Sequence, residues 1–364
     1  MEFIDLKSQQ ELIRERLDRR ICDVLEHGRY IMGPEVKQLE ERLASYVGVK
    51  HCISSSSGTD TLLIALMALG VGAGDEVITV PYTWISTAEV ISLLGAKPVF
   101  VDIEEGSWNM NPDFVEAAIS SKTKAIMPVG IYGQTANMQE INRIAEKHGL
   151  SVIEDAAQSF GATHHDKKSC ALSTVGSTSF FPSKPLGCYG DGGALFTDDD
   201  ELAQKMSQIR VHGQAKKHHH PILGLNGRLD TLQAAILLEK IEIFDDEVAK
   251  RQEVARRYIE ALYAGTLEIS VPAVADGNSS VWAQFTVLST ERDVLKERLS
   301  AAGIPSVSYY AVPLHLQPVF AELGHRKGDF PVSEKVASLG LSLPMNPYLK
   351  DEEIQQVCEA LISI

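Results

Sequence analysis

Lys184 sits in a setting that points to covalent chemistry. It lies in a Ser/aromatic/Pro/Gly segment, residues 177–193 (STSFFPSKPLGCYGDGG), just before an apolar strand over 193–197. Upstream, residues 151–158 (SVIEDAAQ) read as a buried strand ending in a carboxylate, Asp155, followed by an amide, Gln158. A lysine with an aspartate at a strand end is the pair that a pyridoxal 5'-phosphate enzyme needs. The amine condenses with the cofactor aldehyde, and the carboxylate keeps the pyridine nitrogen protonated so that the ring can draw electrons from a substrate. A single lysine is more commonly a solvated loop residue, so other segments must decide.

Three do. Residues 54–60 (SSSSGTD) follow the short run 51–53 and open an apolar helix over 61–69. Gly58 and Thr59 there place backbone N–H groups and a hydroxyl at a helix N-terminus, a cup for phosphate; an ordinary Ser/Thr helix cap would use the same residues. Residues 81–87 (PYTWIST) follow a strand over 76–80, and Trp84 can stack on a flat ring, although a lone Trp is more often packed. Residues 226–230 (NGRLD) begin a long helix, and Asn226 and Arg228 offer an amide and a guanidinium to anions.

In this order the segments resemble the DegT/StrS family of pyridoxal-phosphate-dependent nucleotide-sugar aminotransferases, nearly end to end. The motifs are Ser-Gly-Thr-Asp at 57–60, Glu-Asp-Ala-Ala-Gln at 154–158, Ser-x-x-x-x-Lys at 179–184, Gly-Asp-Gly-Gly at 190–193, and Asn-x-Arg at 226–228 followed by Gln233 and Ala234. The runs 180–193 and 228–238 are most similar to members that aminate the 3-keto group of UDP-2-acetamido-2-deoxy-3-oxo-D-glucuronate, on the way to a sugar of bacterial surface polysaccharide such as O-antigen.

The resemblance implies a fold-type I α/β architecture: a large domain with a mostly parallel mixed sheet covered by helices, and a smaller C-terminal α/β domain. It implies L-glutamate as amino donor and a homodimer with shared active sites. Lys184 and Asp155 would be catalytic. Gly58, Thr59 and Ser179 would hold the phosphate, Trp84 the ring face, Gln158 the cofactor 3' oxygen, and Asn226 the phosphate of a neighbouring subunit's cofactor. Arg228 is expected to take the sugar carboxylate; its competing role is an interface salt bridge. Tyr309, Tyr310 and His315, in residues 308–315 (SYYAVPLH), match the substrate-side segment or form a packed edge. The most similar members tend to carry His where Tyr309 stands, which keeps open a dTDP- or UDP-linked 3-keto-6-deoxy or 4-keto sugar. A dehydratase of this fold would replace the lysine with histidine, whereas Lys184 is present. A noncatalytic pyridoxal-phosphate-binding regulator is the rival from another class; intact Lys184, Asp155 and Gln158 weigh against it.

The elements that must position these residues follow from periodicity. The chain has 364 residues, 44% of them hydrophobic, enough for a large and a small domain. Amphipathic helices are expected over 8–27 and from Pro34, then strands at 51–54, 76–80, 98–103, 124–129, 151–155, 176–181 and 193–197. Helices alternate with them at 59–69, 86–94, 112–119, 137–148 and 199–210, the pattern of a largely parallel sheet. A helix from 229 to about 263 links a large domain, 1–245, to a smaller one, 246–364, with strands at 282–289 and 304–310 and helices at 291–302, 331–339 and 350–362. Function in such sheets collects beyond the carboxyl ends of the strands.

A net charge of −15 disfavours nonspecific binding to nucleic acid or an anionic membrane. No apolar run reaches a membrane span and no signal peptide is visible, so the cytoplasm is expected. Five cysteines show no zinc spacing, and the consecutive His218, His219 and His220 are poorly spaced to share one metal ion. Their loop, 211–227, is expected to be solvated or to contact a subunit.

Overall fold

The computed structural model describes residues 1–263 and 269–362. Residues 264–268, 363 and 364 of the expected C-terminal unit lie outside the described residues.

Two helices open the chain, α1 (Leu6–His27) and α2 (Pro34–Val47). The Asp5 carboxylate caps α1 by accepting the Ser8 N–H at 2.9 Å. Pro34 starts α2 where its missing N–H costs nothing. There follow β1 (His51–Ser55), α3 (Gly58–Ala68), β2 (Glu76–Thr79), α4 (Ser86–Leu93), β3 (Lys97–Phe100), β4 (Thr123–Ile126), α5 (Met138–His148) and β5 (Ser151–Asp155). A small hairpin, β6 (Thr163–His164) and β7 (Lys167–Lys168), precedes β8 (Val175–Ser179), β9 (Gly193–Thr197) and α6 (Asp200–Ile209). The C-terminal part comprises α7 (Thr231–Tyr263), β10 (Phe285–Leu288), α8 (Arg292–Ala301), α9 (Pro331–Leu339), β11 (Gly340–Leu343) and α10 (Asp351–Ile362).

The main sheet has seven strands in the order β1-β9-β8-β5-β4-β2-β3. Its neighbours pair parallel except β9, which runs antiparallel to both β1 and β8. The carboxyl ends of β1, β2, β4, β5 and β8 therefore share one edge, and β9 begins there. Side chains alternate across the strands. Ile153 and Leu195 enter a core with Ile64 and Leu66 of α3 and Met206 of α6. Ala194 and Phe196 enter another with Leu39 of α2 and Leu237 and Phe244 of α7.

α7 runs for 33 residues, about 50 Å at 1.5 Å per residue. Leu237, Ile241 and Phe244 pack on the main sheet, and Val254, Tyr258 and Leu262 pack with Phe285 and Val287 of β10 and Leu341 and Leu343 of β11. No helix among the described residues is long and apolar enough to cross a membrane.

Some expected elements differ. Instead of a helix over 112–119 there are two 3₁₀ turns, Pro112–Phe114 and Glu116–Ala118, because Ile119 turns extended after only two turns' worth of chain. The strand expected over 304–310 reduces to one bridge, Val307 to Ser342. Pro305 lacks a ladder N–H, and the chain reverses at Tyr310, whose φ is 53°. The strand expected over 282–289 starts only at Phe285, since Trp282 has a φ of 47°.

Packing predicts where truncation matters. Leu237 is fully buried under the sheet, whereas Val294 on α8 is 45% exposed. Leu237→Ala is expected to cost about 2–5 kcal/mol and Val294→Ala within about 0.5 kcal/mol. Denaturant midpoints measured on the two variants side by side check this; equal shifts would contradict the packing.

Candidate active site

Asp155 ends β5 and is buried. Its carboxylate accepts the Thr87 hydroxyl at 2.8 Å and the Ala157 N–H at 3.2 Å. Burial pushes its pKa above the ordinary carboxylate range, while Thr87, Ala157 and the charge of Lys184 pull it back. Glu154, one residue earlier, faces the other side of the sheet and accepts from the Ser169 hydroxyl and the Cys170 N–H.

Lys184 follows β8 in a tight turn, with its N–H donated to the Phe181 carbonyl at 2.8 Å. Burial pushes its amine below lysine's ordinary range and Asp155 opposes this. The two groups thus sense one another across the carboxyl edge of the sheet, and the amine is biased toward its neutral, nucleophilic form.

The start of α3 forms the third component. Ser57 caps it, its hydroxyl accepting the Asp60 N–H at 3.0 Å. That leaves the Gly58 and Thr59 N–H groups at the free end of an eleven-residue helix, where such groups attract anions. A Cβ on Gly58 would lie 2.6 Å from the Ser179 Cβ, so β8 and α3 meet here with room for no side chain. The Thr59 hydroxyl is 2.8 Å from that of Ser86. Trp84, in the segment that follows the carboxyl end of β2, is 61% exposed.

Gln158 is buried, with both ends of its amide engaged: Oε1 accepts the Tyr132 N–H at 2.9 Å, and Nε2 donates to the Tyr310 hydroxyl at 2.7 Å. Tyr310 stacks on Tyr132 at 6.1 Å, and the Tyr132 and Tyr82 hydroxyls lie 2.6 Å apart. Tyr309 packs between Tyr310 and Phe3. His315 stands apart. Its ring is buried against Phe330, with Nε2 3.0 Å from Glu334.

Asn226 and Arg228 occupy a different cavity of about 410 Å³, lined also by Ile31, Ser56, Asp191 and Gln233 and not by Lys184 or Asp155. Among the described residues the Arg228 Nε, which is buried, has no hydrogen-bond partner. The Ser56 N–H donates to the Gly227 carbonyl at 3.0 Å, which ties this cavity to the segment leading into Gly58.

Sequence reasoning did not single out Thr87, Ser86, Tyr132 or Tyr82. Each is an ordinary residue type whose partner lies far along the chain; the one available signal was that Ser86 and Thr87 follow the carboxyl end of a strand.

A family profile, the DegT/DnrJ/EryC1/StrS aminotransferase family, matches residues 11–362. The chain is 54% identical over 361 residues to a UDP-2-acetamido-2-deoxy-3-oxo-D-glucuronate aminotransferase of Pseudomonas aeruginosa, covering 99% of each. A crystal structure of a DegT DnrJ EryC1 StrS aminotransferase from Brucella abortus superposes with a TM-score of 0.96 at 46% identity, covering 99% of this chain and 98% of that one. A Bacillus subtilis protein solved with bound cofactor PMP is 34% identical, with a TM-score of 0.89 over 95% of this chain and 80% of that one.

The Thr87 contact is open to test. Thr87→Val keeps the shape but leaves a buried carboxylate short of a donor, a loss of about 1–3 kcal/mol. Titration of the purified protein with pyridoxal 5'-phosphate is expected to show weaker binding at pH 8, with the deficit shrinking in Thr87→Ser, which restores the hydroxyl. Equal affinity in Thr87→Val and wild type would remove Thr87 from the site.

Proposed function

The chain belongs to the DegT/DnrJ/EryC1/StrS aminotransferase family and is a pyridoxal-phosphate-dependent sugar aminotransferase; from that premise we propose that it transfers the amino group of L-glutamate to the 3-keto carbon of UDP-2-acetamido-2-deoxy-3-oxo-D-glucuronate, for a bacterial surface polysaccharide. The observation that carries the uronate is Arg228, whose buried Nε has no partner among the described residues and which lines a cavity with Asn226. A guanidinium fork matches a carboxylate in shape and charge.

The residues at the sheet edge fit the cofactor. The Gly58 and Thr59 N–H groups with Ser179 form a cradle for a phosphate, at a point where a Cβ on Gly58 would intrude. Among the described residues the cation acting on Asp155 is Lys184, so the buried carboxylate can accept a protonated ring nitrogen. When bound, pyridoxal 5'-phosphate supplies an electron sink. The chain does the rest. Lys184 would hold the cofactor through its amine and would carry the proton between the substrate carbon and the cofactor C4′ carbon. Thr87 and the Ala157 N–H aim Asp155. Trp84, exposed beyond β2, would stack on the ring face. Gln158, anchored on Tyr132 and Tyr310, bounds the site on the side where Tyr309 and Tyr310 meet the sugar.

Asn226 and Arg228 act, on this proposal, in a second copy of the chain, Asn226 at its cofactor phosphate and Arg228 at its sugar. Their cavity is separate from Lys184 within one chain. Beside it Tyr30, Ile31 and Met32 are exposed by 42–52%, an apolar strip of the kind that marks an association surface. The active unit is then a homodimer.

The test compares kcat/KM for the 3-keto uronate and its 6-hydroxymethyl analogue. Wild type is expected to favour the uronate, and Arg228→Ala to lose about 2–5 kcal/mol of that preference while keeping its half-reaction with glutamate. Arg228→Lys should recover part of it. Equal loss on both sugars would assign Arg228 to the interface, and a wild type preferring the neutral sugar would overturn the uronate.

A further inference from the structure

Lys240, in the first half of α7, has no exposed surface. Removing an ammonium from water is costly unless partners replace the water. Here the partner is a main-chain oxygen: Nζ donates to the Gly187 carbonyl at 2.5 Å and lies 4.7 Å over the Tyr189 ring. The carboxylate that acts on it from a distance is Glu247, itself occupied by the Gln9 amide at 2.8 and 2.9 Å and by the Tyr348 hydroxyl. An apolar residue would fill this volume at lower cost, so the carbonyl it holds matters.

That carbonyl belongs to the turn carrying Lys184. Cys188 N–H donates to Phe180 O, and Phe180 N–H to Gly192 O, both at 2.7 Å, closing the base of the turn. A Cβ on Gly187 would lie 2.5 Å from the Pro182 carbonyl, so the turn is wound tightly on itself. Two residues after Gly187, the Tyr189 N–H donates to Gln233 Oε1 at 2.9 Å. Gln233 and Lys240 are seven positions apart in the sequence, close to two helical turns, and so share one face of α7. They grip the main chain on either side of Cys188. Lys184 and Lys240 also line one small cavity with Gln9, Glu247, Arg251 and Tyr348. Its volume of about 10 Å³ is at the threshold for a single water, so the floor beneath the turn has little slack.

We propose that Lys240 and Gln233 are positioning residues: from one face of α7 they hold Gly187 and Tyr189 and thereby fix where the turn presents the Lys184 amine. This rests on Lys184 being the amine that attaches the cofactor.

The test uses cofactor-free full-length protein as wild type, Lys240→Met and Gln233→Met. Amide hydrogen exchange in residues 180–192 is expected to quicken by about tenfold or more in each variant, with α3 and β5 unchanged, since a lost anchor opens only the unit it holds. Addition of pyridoxal 5'-phosphate followed by borohydride and peptide mapping should mark the Lys184 peptide in all three, about tenfold more slowly in the variants. In turnover, kcat of Lys240→Met should fall with the sugar KM nearly unchanged. A mark on another lysine in wild type would defeat the Lys184 assignment and this proposal with it. Wild-type exchange and labelling in a folded Lys240→Met would overturn the clamp while leaving Lys184 in place. Should Lys240→Met fail to fold, Gln233→Met, whose side chain is partly exposed, decides the question by exchange and labelling alone.

Discussion

A carboxylate buried at the end of a strand is expensive unless something positive or a full set of donors faces it. Asp155 has one hydroxyl, one backbone N–H and a lysine acting at a distance, which is less than a fully compensated charge. The surrounding architecture can be understood from that shortfall. A parallel arrangement puts β5 beside β8, so Lys184 arrives from the adjacent strand end. β2 delivers Thr87 from the other side, and β1 delivers the start of α3. The sheet thereby keeps a negative charge dry, oriented and poised for a cationic guest.

Much of this was legible in the sequence because it is local. Alternating apolar runs and helical periodicity located most of the strands of the main sheet, and the positions of Gly58, Trp84, Asp155 and Gln158 beyond strand ends followed from them. What escaped was of two kinds. Segments 112–119 and 304–310 have suitable composition, but their backbones are set by distant demands: Ile119 turns away after a short turn, and Tyr310 takes a left-handed conformation that places its hydroxyl on Gln158. Thr87 and Lys240 escaped because nothing in their neighbourhoods marks them. Their partners lie 68 and 53 positions away, and a buried lysine in an apolar helix looks in sequence like any solvated one. The antiparallel insertion of β9 was likewise hidden, since a strand's direction is not written in its residues.

α7 ties these features together. Its first turns touch the cavity of Asn226 and Arg228 through Gln233, its middle holds the Lys184 turn, and its far half packs on the small sheet of β10 and β11. One helix thus joins the cavity of Asn226 and Arg228, the turn that carries Lys184 and the C-terminal layer.

The phosphate cradle has a property distinct from the rest of the edge. On the proposed reading its grip would come from the Gly58 and Thr59 amides, backed by Gly193, where an added Cβ would strike the Ser57 carbonyl at 2.7 Å. Main-chain amides do not titrate in water's accessible range, whereas Asp155 and Lys184 are both displaced from their ordinary ionisation. Anchoring and chemistry would therefore rest on groups of different kinds: the one on main-chain amides whose charge does not change with pH, the other on two buried side chains whose charge does.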